Sequence, residues 1–381
     1  MKTSAAVLRT TTTDRPYSDT RPLSVEELTL DAPGPGELLV AIRAAGVCHS
    51  DLSVVTGQRV RPLPMALGHE AAGLVQAVGE GVTDVVLGDH VVLVFVPGCG
   101  ECAWCRTNQP ALCATGAAAN GAGELMGGGQ RLHAADGTTV KHHLGVSAFA
   151  EYAVVHRSSA VVIDRDVPFD VAAVLGCAML TGVGAVFHTA DVAAGDSVTV
   201  LGLGGVGQAV VLGAVARGAS PVVAVDPVPA KQQLALELGA THACGPDEAE
   251  ALLTSLNDGG SRWVFEAAGV PAVMERAFTL TGRGGTNVCV GLPAPDAKVT
   301  FPALAFAGES KTVTGSYMGS SVPQLDIPML IQRWRDGLLP VERLVSAILP
   351  LEAVNDAFEE LAAGRAVRQL IHPGADWEST R

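Results

Sequence analysis

Ser197-Val198-Thr199-Val200-Leu201-Gly202-Leu203-Gly204-Gly205-Val206-Gly207 decides how the middle of this 381-residue chain folds. A β-rich run leads into a glycine turn, and Gln208 to Ala216 continues as an apolar helix. A second apolar strand, Val222-Val223-Ala224-Val225, ends in Asp226, nineteen residues after Gly207. Strand, G-x-G-x-x-G turn, helix, strand and acid together form the dinucleotide-binding fingerprint. Gly202, Gly204, Gly205 and Gly207 let backbone approach a pyrophosphate at a helix N-terminus, where free amide hydrogens favour negative charge. Asp226 can accept hydrogen bonds from a ribose diol but repels a 2′-phosphate, and Pro227-Val228-Pro229 brings no arginine, so NAD is expected rather than NADP.

The same stretch imitates a membrane span. Val198 to Ala216 carries no charge over nineteen residues, close to a bilayer's thickness in helical form. Five glycines and Gln208 interrupt it, and the glycine turn accounts for the missing charge. Downstream, apolar runs at Trp263-Val264-Phe265, Val288-Cys289-Val290 and Thr312-Val313-Thr314 alternate with helical segments such as Lys231 to Leu238, which stops at Gly239. That alternation predicts a doubly wound parallel sheet.

Upstream lies a different texture. Short β-rich runs, Glu37 to Ala44 and Asp89 to Val96, alternate with Pro/Gly breakers and predict a mostly β domain over residues 1 to about 150. Within it, Cys99, Cys102, Cys105 and Cys113 fall inside fifteen residues. Four thiols so close in sequence can close a tetrahedral shell around one zinc ion without distant chain. An iron–sulfur run of the bacterial ferredoxin type would bring its fourth cysteine sooner and follow it with proline, whereas Ala114 follows Cys113. Two disulfides are the alternative, disfavoured in a reducing compartment. Further candidates are Cys48-His49-Ser50-Asp51, His69-Glu70 and Cys177.

Composition narrows the classes. A hydrophobic content of 48% over this length can bury two cores. The net charge of −14 argues against a nucleic-acid partner. The start, Met1 to Leu8, has one basic residue and too short an apolar run for an export signal, so a cytoplasmic protein without a membrane span is expected.

Taken together, these segments resemble the zinc-dependent alcohol dehydrogenases of the medium-chain dehydrogenase/reductase superfamily, across essentially the whole chain. The resemblance implies an α/β fold: a Rossmann doubly wound parallel sheet, residues 179 to 317, inserted into a discontinuous, mostly β GroES-like catalytic domain of residues 1 to 178 and 318 to 381. It implies two zinc ions per chain. Cys48, His69 and Cys177 would hold a catalytic one with a fourth position open, and Cys99, Cys102, Cys105 and Cys113, in the loop 98 to 114, a closed structural one. Glu70 becomes a carboxylate beside the metal, and Asp51 the group that orients His69.

By the same resemblance Ser50 passes the alcohol proton outward, His49 and Arg368 meet the cofactor pyrophosphate, Thr181 and Val206 pack on the nicotinamide, and Lys231 is a second ribose contact. Phe95, His143, Leu144, Leu292 and Tyr317 would approach the substrate. Ser53 stands where the family's relay histidine commonly does, which leaves the outer proton path open. The implied reaction is reversible, NAD-dependent oxidation of a small-molecule alcohol to an aldehyde or ketone, in a crevice between two domains. The long segment Gly116 to Gly145 goes with homodimers in the family.

Two alternatives stand beside this reading. A formaldehyde dehydrogenase acting on a thiol adduct such as S-hydroxymethylglutathione has the same long segment, but Ala114-Thr115-Gly116-Ala117 lacks that branch's arginine and Val60 replaces its acid. A non-catalytic protein of the same fold would be marked by a lost ligand, and the whole set is present.

Overall fold

The computed structural model describes residues 1–257 and 259–374. They form two compact units. The first takes Met1–Cys177, Val322–Ile331 and the chain from Val341 on, and the second takes Ala178–Ser321 with Gln332–Pro340. The boundary expected after Tyr317 thus falls after Ser321, and Gln332–Pro340 groups with the second unit, where Arg333 lies 4.8 Å from the ring centre of Phe187.

The first unit is mostly β. Strands Lys2–Leu8, Leu23–Leu30, Leu132–His133, Thr139–His142 and Met65–Ala66 close into a small barrel. A seven-stranded sheet is centred on Glu37–Val47, which pairs with Ala71–Val78, Tyr152–His156 and the last strand, Arg368–His372. The amphipathic helix Val354–Ala362 buries Val354, Ala357, Phe358 and Leu361, a spacing that puts them on one face. Phe358 meets Phe149 edge to face at 6.1 Å. Truncating a ring packed this way costs about 3–5 kcal/mol.

The second unit is a six-stranded parallel sheet in the spatial order His242–Cys244, Val222–Val225, Val198–Leu201, Ser261–Glu266, Thr281–Cys289, Thr312–Gly315. Numbered along the chain this is 3-2-1-4-5-6, the order of a doubly wound dinucleotide fold. The uncharged run is resolved into the strand Val198–Leu201 and the twelve-residue helix Gly205–Ala216. Among the described residues one helical stretch, Phe169–Thr189, is long and apolar enough to cross a membrane, and 94% of its most apolar window is buried inside the protein.

Two expected elements differ in extent. The strand expected over Asp89 to Val96 is confined to His90–Leu93, because the Val94 amide turns to the Ser159 carbonyl (2.8 Å) and the Phe95 carbonyl accepts from Asn120 (2.7 Å). The helix expected from Lys231 begins at Pro229, since proline fits a first helical position whose amide has no partner.

Candidate active site

The strand Glu37–Val47 delivers Cys48 to the start of the helix His49–Val55, where Cys48 and Asp51 cap each other. The Cys48 amide donates to Asp51 Oδ2 (3.3 Å), and Asp51 Oδ1 accepts from the Gly68 amide (3.1 Å) and from His69 Nδ1 (3.1 Å). One carboxylate therefore fixes both the cysteine and the histidine. With Nδ1 committed to Asp51, His69 turns Nε2 towards Cys177 Sγ, 3.6 Å away. Gly68 sits at φ +91°, a left-handed turn that favours glycine.

Cys177 arrives from another direction, inside a π-helical turn, Leu175–Met179. Its neighbour Gly176 presses on the strand end, and a Cβ there would overlap the Leu93 carbonyl oxygen. Donor atoms of Cys48, His69, Glu70 and Cys177 all lie within 4.8 Å of one another, all four residues being buried. Glu70 is held by Arg368, whose Nη1 donates to Glu70 Oε2 (2.9 Å) and to the Val47 carbonyl (3.1 Å). A Cβ on Gly46 would come within 2.7 Å of the Glu70 carboxyl carbon, so the glycine makes room for the acid.

The charges in this knot are mutually tuned. A hydrogen bond from Cys177 draws the Cys48 thiol well below its ordinary range, and the same contact with burial pushes Cys177 up. Burial favours neutral His69, but Asp51 and Cys48 outweigh it and hold the ring well above its usual value. Burial pushes Glu70 up to about 7 against the pull of Arg368. Burial would likewise raise Asp51, yet His69 and His143 hold it below the usual carboxylate range. Glu70 Oε1 has no hydrogen-bond partner among the described residues. Two sulfurs and an imidazole nitrogen converging in a buried site, with the Glu70 carboxylate beside them, form a donor set that a zinc ion satisfies.

Phe95 and His143 both stand edge-on to the His69 ring, at 5.5 and 5.4 Å. His143 Nδ1 also lies 3.0 Å from Asp51 Oδ1, off the line that a well-formed hydrogen bond needs. Leu144 follows, buried, at φ +51°. Ser50 is half-buried and its carbonyl accepts from Ser53 Oγ (2.8 Å), while His49 is exposed.

The second cysteine cluster is entirely local. Sulfurs of Cys99, Cys102, Cys105 and Cys113 lie within 4.8 Å of one another. Backbone amides point at three of them: Cys102 N–H to Cys99 (3.3 Å), Cys105 N–H to Cys102 (3.5 Å), and those of Cys99 and Gly116 to Cys113 (both 3.4 Å). Amides of Glu101 and Cys102 draw the Cys99 thiol down to about 6, while burial pushes Cys105 up to about 12. All eight cysteines of the chain are free thiols, so the two-disulfide alternative is not formed.

In the second unit, the glycine turn has the shape a dinucleotide requires. Gly202 sits at φ +89°, and a Cβ on Gly207 would overlap the Gly202 carbonyl. A Cβ on Gly204, just before the helix Gly205–Ala216, would have no atom of the described residues within 4 Å. Asp226 is 6% exposed, Oδ2 accepting from the Leu203 amide (2.8 Å) and Oδ1 from that of Val228 (2.9 Å). Lys231 is buried, its carbonyl bonded by Gln208 Nε2 (2.9 Å), and Thr181 is buried too. Val206 lies in the first turn of the helix, while Leu292 and Tyr317 are partly exposed. The structure thus gathers Cys48, Asp51, His69, Glu70, Phe95, His143, Cys177 and Arg368 in the first unit. Thr181, Val206, Asp226, Lys231, Leu292 and Tyr317 belong to the second.

Two links escape sequence reasoning. Arg368, assigned by resemblance to a pyrophosphate, is seated on Glu70, and His143 is seated on Asp51 rather than merely lining a pocket. Neither has a local signal, since Arg368 and Glu70 are 298 residues apart.

Comparison with known proteins gives a consistent picture. Residues 34–165 match the alcohol dehydrogenase GroES-like domain family, and residues 205–335 the zinc-binding dehydrogenase family. An NDMA-dependent alcohol dehydrogenase of Amycolatopsis methanolica is 38% identical over 99% of this chain and 100% of its own. An S-(hydroxymethyl)glutathione dehydrogenase of Saccharomyces cerevisiae is 36% identical over 93% of this chain and 94% of its own. The crystal structure of benzyl alcohol dehydrogenase from Acinetobacter calcoaceticus superposes with a TM-score of 0.91 at 30% identity, covering 98% of this chain and 100% of the other.

Proposed function

The chain belongs to the zinc-dependent alcohol dehydrogenases of the medium-chain dehydrogenase/reductase superfamily, and from that premise we propose how its residues divide the work of alcohol oxidation. Cys48, His69 and Cys177 would hold the catalytic zinc, Cys99, Cys102, Cys105 and Cys113 a second, structural one, and the Gly202–Gly207 turn would hold NAD. The observation that carries this reading is the convergence of three donors from separate elements within 4.8 Å in a buried site.

When bound, zinc lowers the pKa of an alcohol oxygen and NAD accepts the hydride. The chain's own residues do the rest. Asp51 fixes the tautomer and aim of His69. Ser50, at the first turn of the helix His49–Val55, takes the alcohol proton outward. Ser53 bonds back to its own helix, so the onward path runs through His49 or solvent. Glu70 and Arg368 form a buried pair that adjusts the charge beside the ligands. Asp226 accepts the ribose hydroxyls and repels a 2′-phosphate, with Lys231 beside it, and Thr181 and Val206 pack on the nicotinamide. Phe95 and His143, close to His69 in the first unit, and Leu144, which follows His143, would contact the substrate, a small alcohol.

The thiol-adduct reading comes second. Its support is the yeast relative's name, while Val60 is an exposed apolar residue where that branch uses an acid. A homodimer is proposed because, among the described residues, the strand Thr312–Gly315 ends the parallel sheet with one side unpaired, and Leu304 and Phe306, in the helix that precedes it in the chain, are 81% and 43% exposed. A cytoplasmic location fits eight free thiols.

The test is zinc quantification with an activity screen over primary, secondary and aromatic alcohols, using NAD, NADP and NDMA as acceptors. Two zinc ions per chain and NAD reduction abolished in Cys48→Ala support the reading. One zinc ion, or full activity in that variant, overturns it.

A further inference from the structure

Glu266 ends the strand Ser261–Glu266 with no solvent exposure, and nothing above uses it. Its Oε1 accepts from the amides of Ala268 (2.8 Å) and Gly269 (2.7 Å), and its carbonyl accepts from Val290 (2.8 Å) and Gly291 (2.9 Å). One residue therefore sets two turns at the carboxyl end of the parallel sheet, where nucleotides bind in folds of this kind.

The packing around it leaves no slack. A Cβ on Gly291 would lie 2.8 Å from Glu266 Oε2, and one on Gly269, at φ +70°, 2.9 Å from the Leu292 amide and carbonyl. A Cβ on Gly202 would lie 2.9 Å from the Ala268 amide. The first glycine of the nucleotide turn thus rests on the turn that Glu266 stitches, and the other turn leads into Leu292. Oε2 itself has no hydrogen-bond partner among the described residues. A buried carboxylate with one free oxygen is costly when ionised, and burial indeed pushes this carboxyl above its ordinary range. Cys289 faces it from the neighbouring strand, its own thiol pushed up to about 11 by burial.

We propose that Glu266 is a positioning residue for the dinucleotide: its side chain and carbonyl hold the 267–270 and 290–292 turns against the Gly202 turn and thereby set cofactor affinity without touching the reacting atoms. The proposal rests on the reading that NAD occupies the glycine turn.

The experiment compares Glu266→Gln, Glu266→Asp and Glu266→Ala in the zinc-loaded enzyme, measuring NADH dissociation by fluorescence, zinc content, melting temperature, and KM for NAD against kcat. Gln keeps the accepting oxygen and places an uncharged amide at Oε2, so it binds NADH within about twofold of wild type. Ala loses both side-chain hydrogen bonds and weakens NADH binding by about tenfold or more, with zinc content unchanged and kcat at saturating NAD within about threefold of wild type. Asp, one methylene short, falls between the two and keeps the question answerable if the Ala variant does not fold. Loss in the Gln variant as large as in the Ala or Asp variant, or a lowered melting temperature with NADH affinity unchanged, overturns the proposal. Failure of the wild-type enzyme to bind NADH overturns the dehydrogenase reading instead.

Discussion

The Cys99–Cys113 cluster and the Cys48–His69–Cys177 cluster both bring their donor atoms within 4.8 Å of one another, by opposite means. The first is closed by its own loop: backbone amides of the same segment meet three of its four sulfurs, and three of its cysteines are partly exposed. The second exists only because the helix start at Cys48, the turn holding His69 between Met65–Ala66 and Ala71–Val78, and a π-helical turn meet in a buried interior, with Asp51 tying the first two. A local cluster is robust to change elsewhere and asks little of the fold. An assembled one can be tuned by its surroundings, at the cost of depending on all of them. That division suits one centre for structure and one for chemistry.

The contrast can be broken at either end. The largest effect is expected from single donor removals: Cys177→Ala abolishes alcohol oxidation with only a small change in melting temperature, whereas Cys105→Ala lowers the melting temperature strongly because the loop loses its closure. Calorimetry beside an activity assay reads both, and equal melting losses would end the distinction. Next, Asp51→Asn removes the charge orienting His69 and weakens zinc binding at that centre by about 10–100-fold, leaving the Cys99 loop loaded. Competition with a chromogenic chelator should then show one weakened site.

A smaller effect sharpens the role of packing. Gly176→Ala drives a methyl group into the Leu93 carbonyl and costs about 1–3 kcal/mol as overpacking, read by denaturant titration, and it loosens zinc at the assembled centre alone. The smallest concerns acid. Burial first, then Arg131 and His133, push His142 down to about 3, and its Nε2 accepts from the Arg131 amide (3.0 Å). A depressed histidine contributes stability that is present above its unfolded value near 6.5 and lost as pH falls towards 3. At pH 5.5 the loss is about 1 kcal/mol, and His142→Gln flattens that dependence in melts across pH.

What could be read beforehand follows the same line between local and assembled. Gly202 to Gly207, Asp226 and the four-cysteine spacing carry their meaning within some thirty residues, so periodicity and spacing sufficed. Cys48, His69 and Cys177 became a set only through family resemblance, because nothing in their spacing foretells three elements meeting. The Arg368–Glu70 pair depends on the last strand returning beside Glu37–Val47, with Gln369 opposite Val47, and pairing across that distance leaves no mark in either segment. The π turn that carries Cys177 is likewise invisible in Leu175-Gly176-Cys177, and so is the close approach of Gly176 to the Leu93 carbonyl, a contact with a distant strand.

The self-contained loop has a consequence for biosynthesis. On the ribosome the four thiols are all present once Cys113 has been added, before any residue of the parallel sheet is translated, whereas the other triad waits for Cys177. Under the two-zinc reading proposed above, a nascent chain would therefore have its local site complete well before its assembled one.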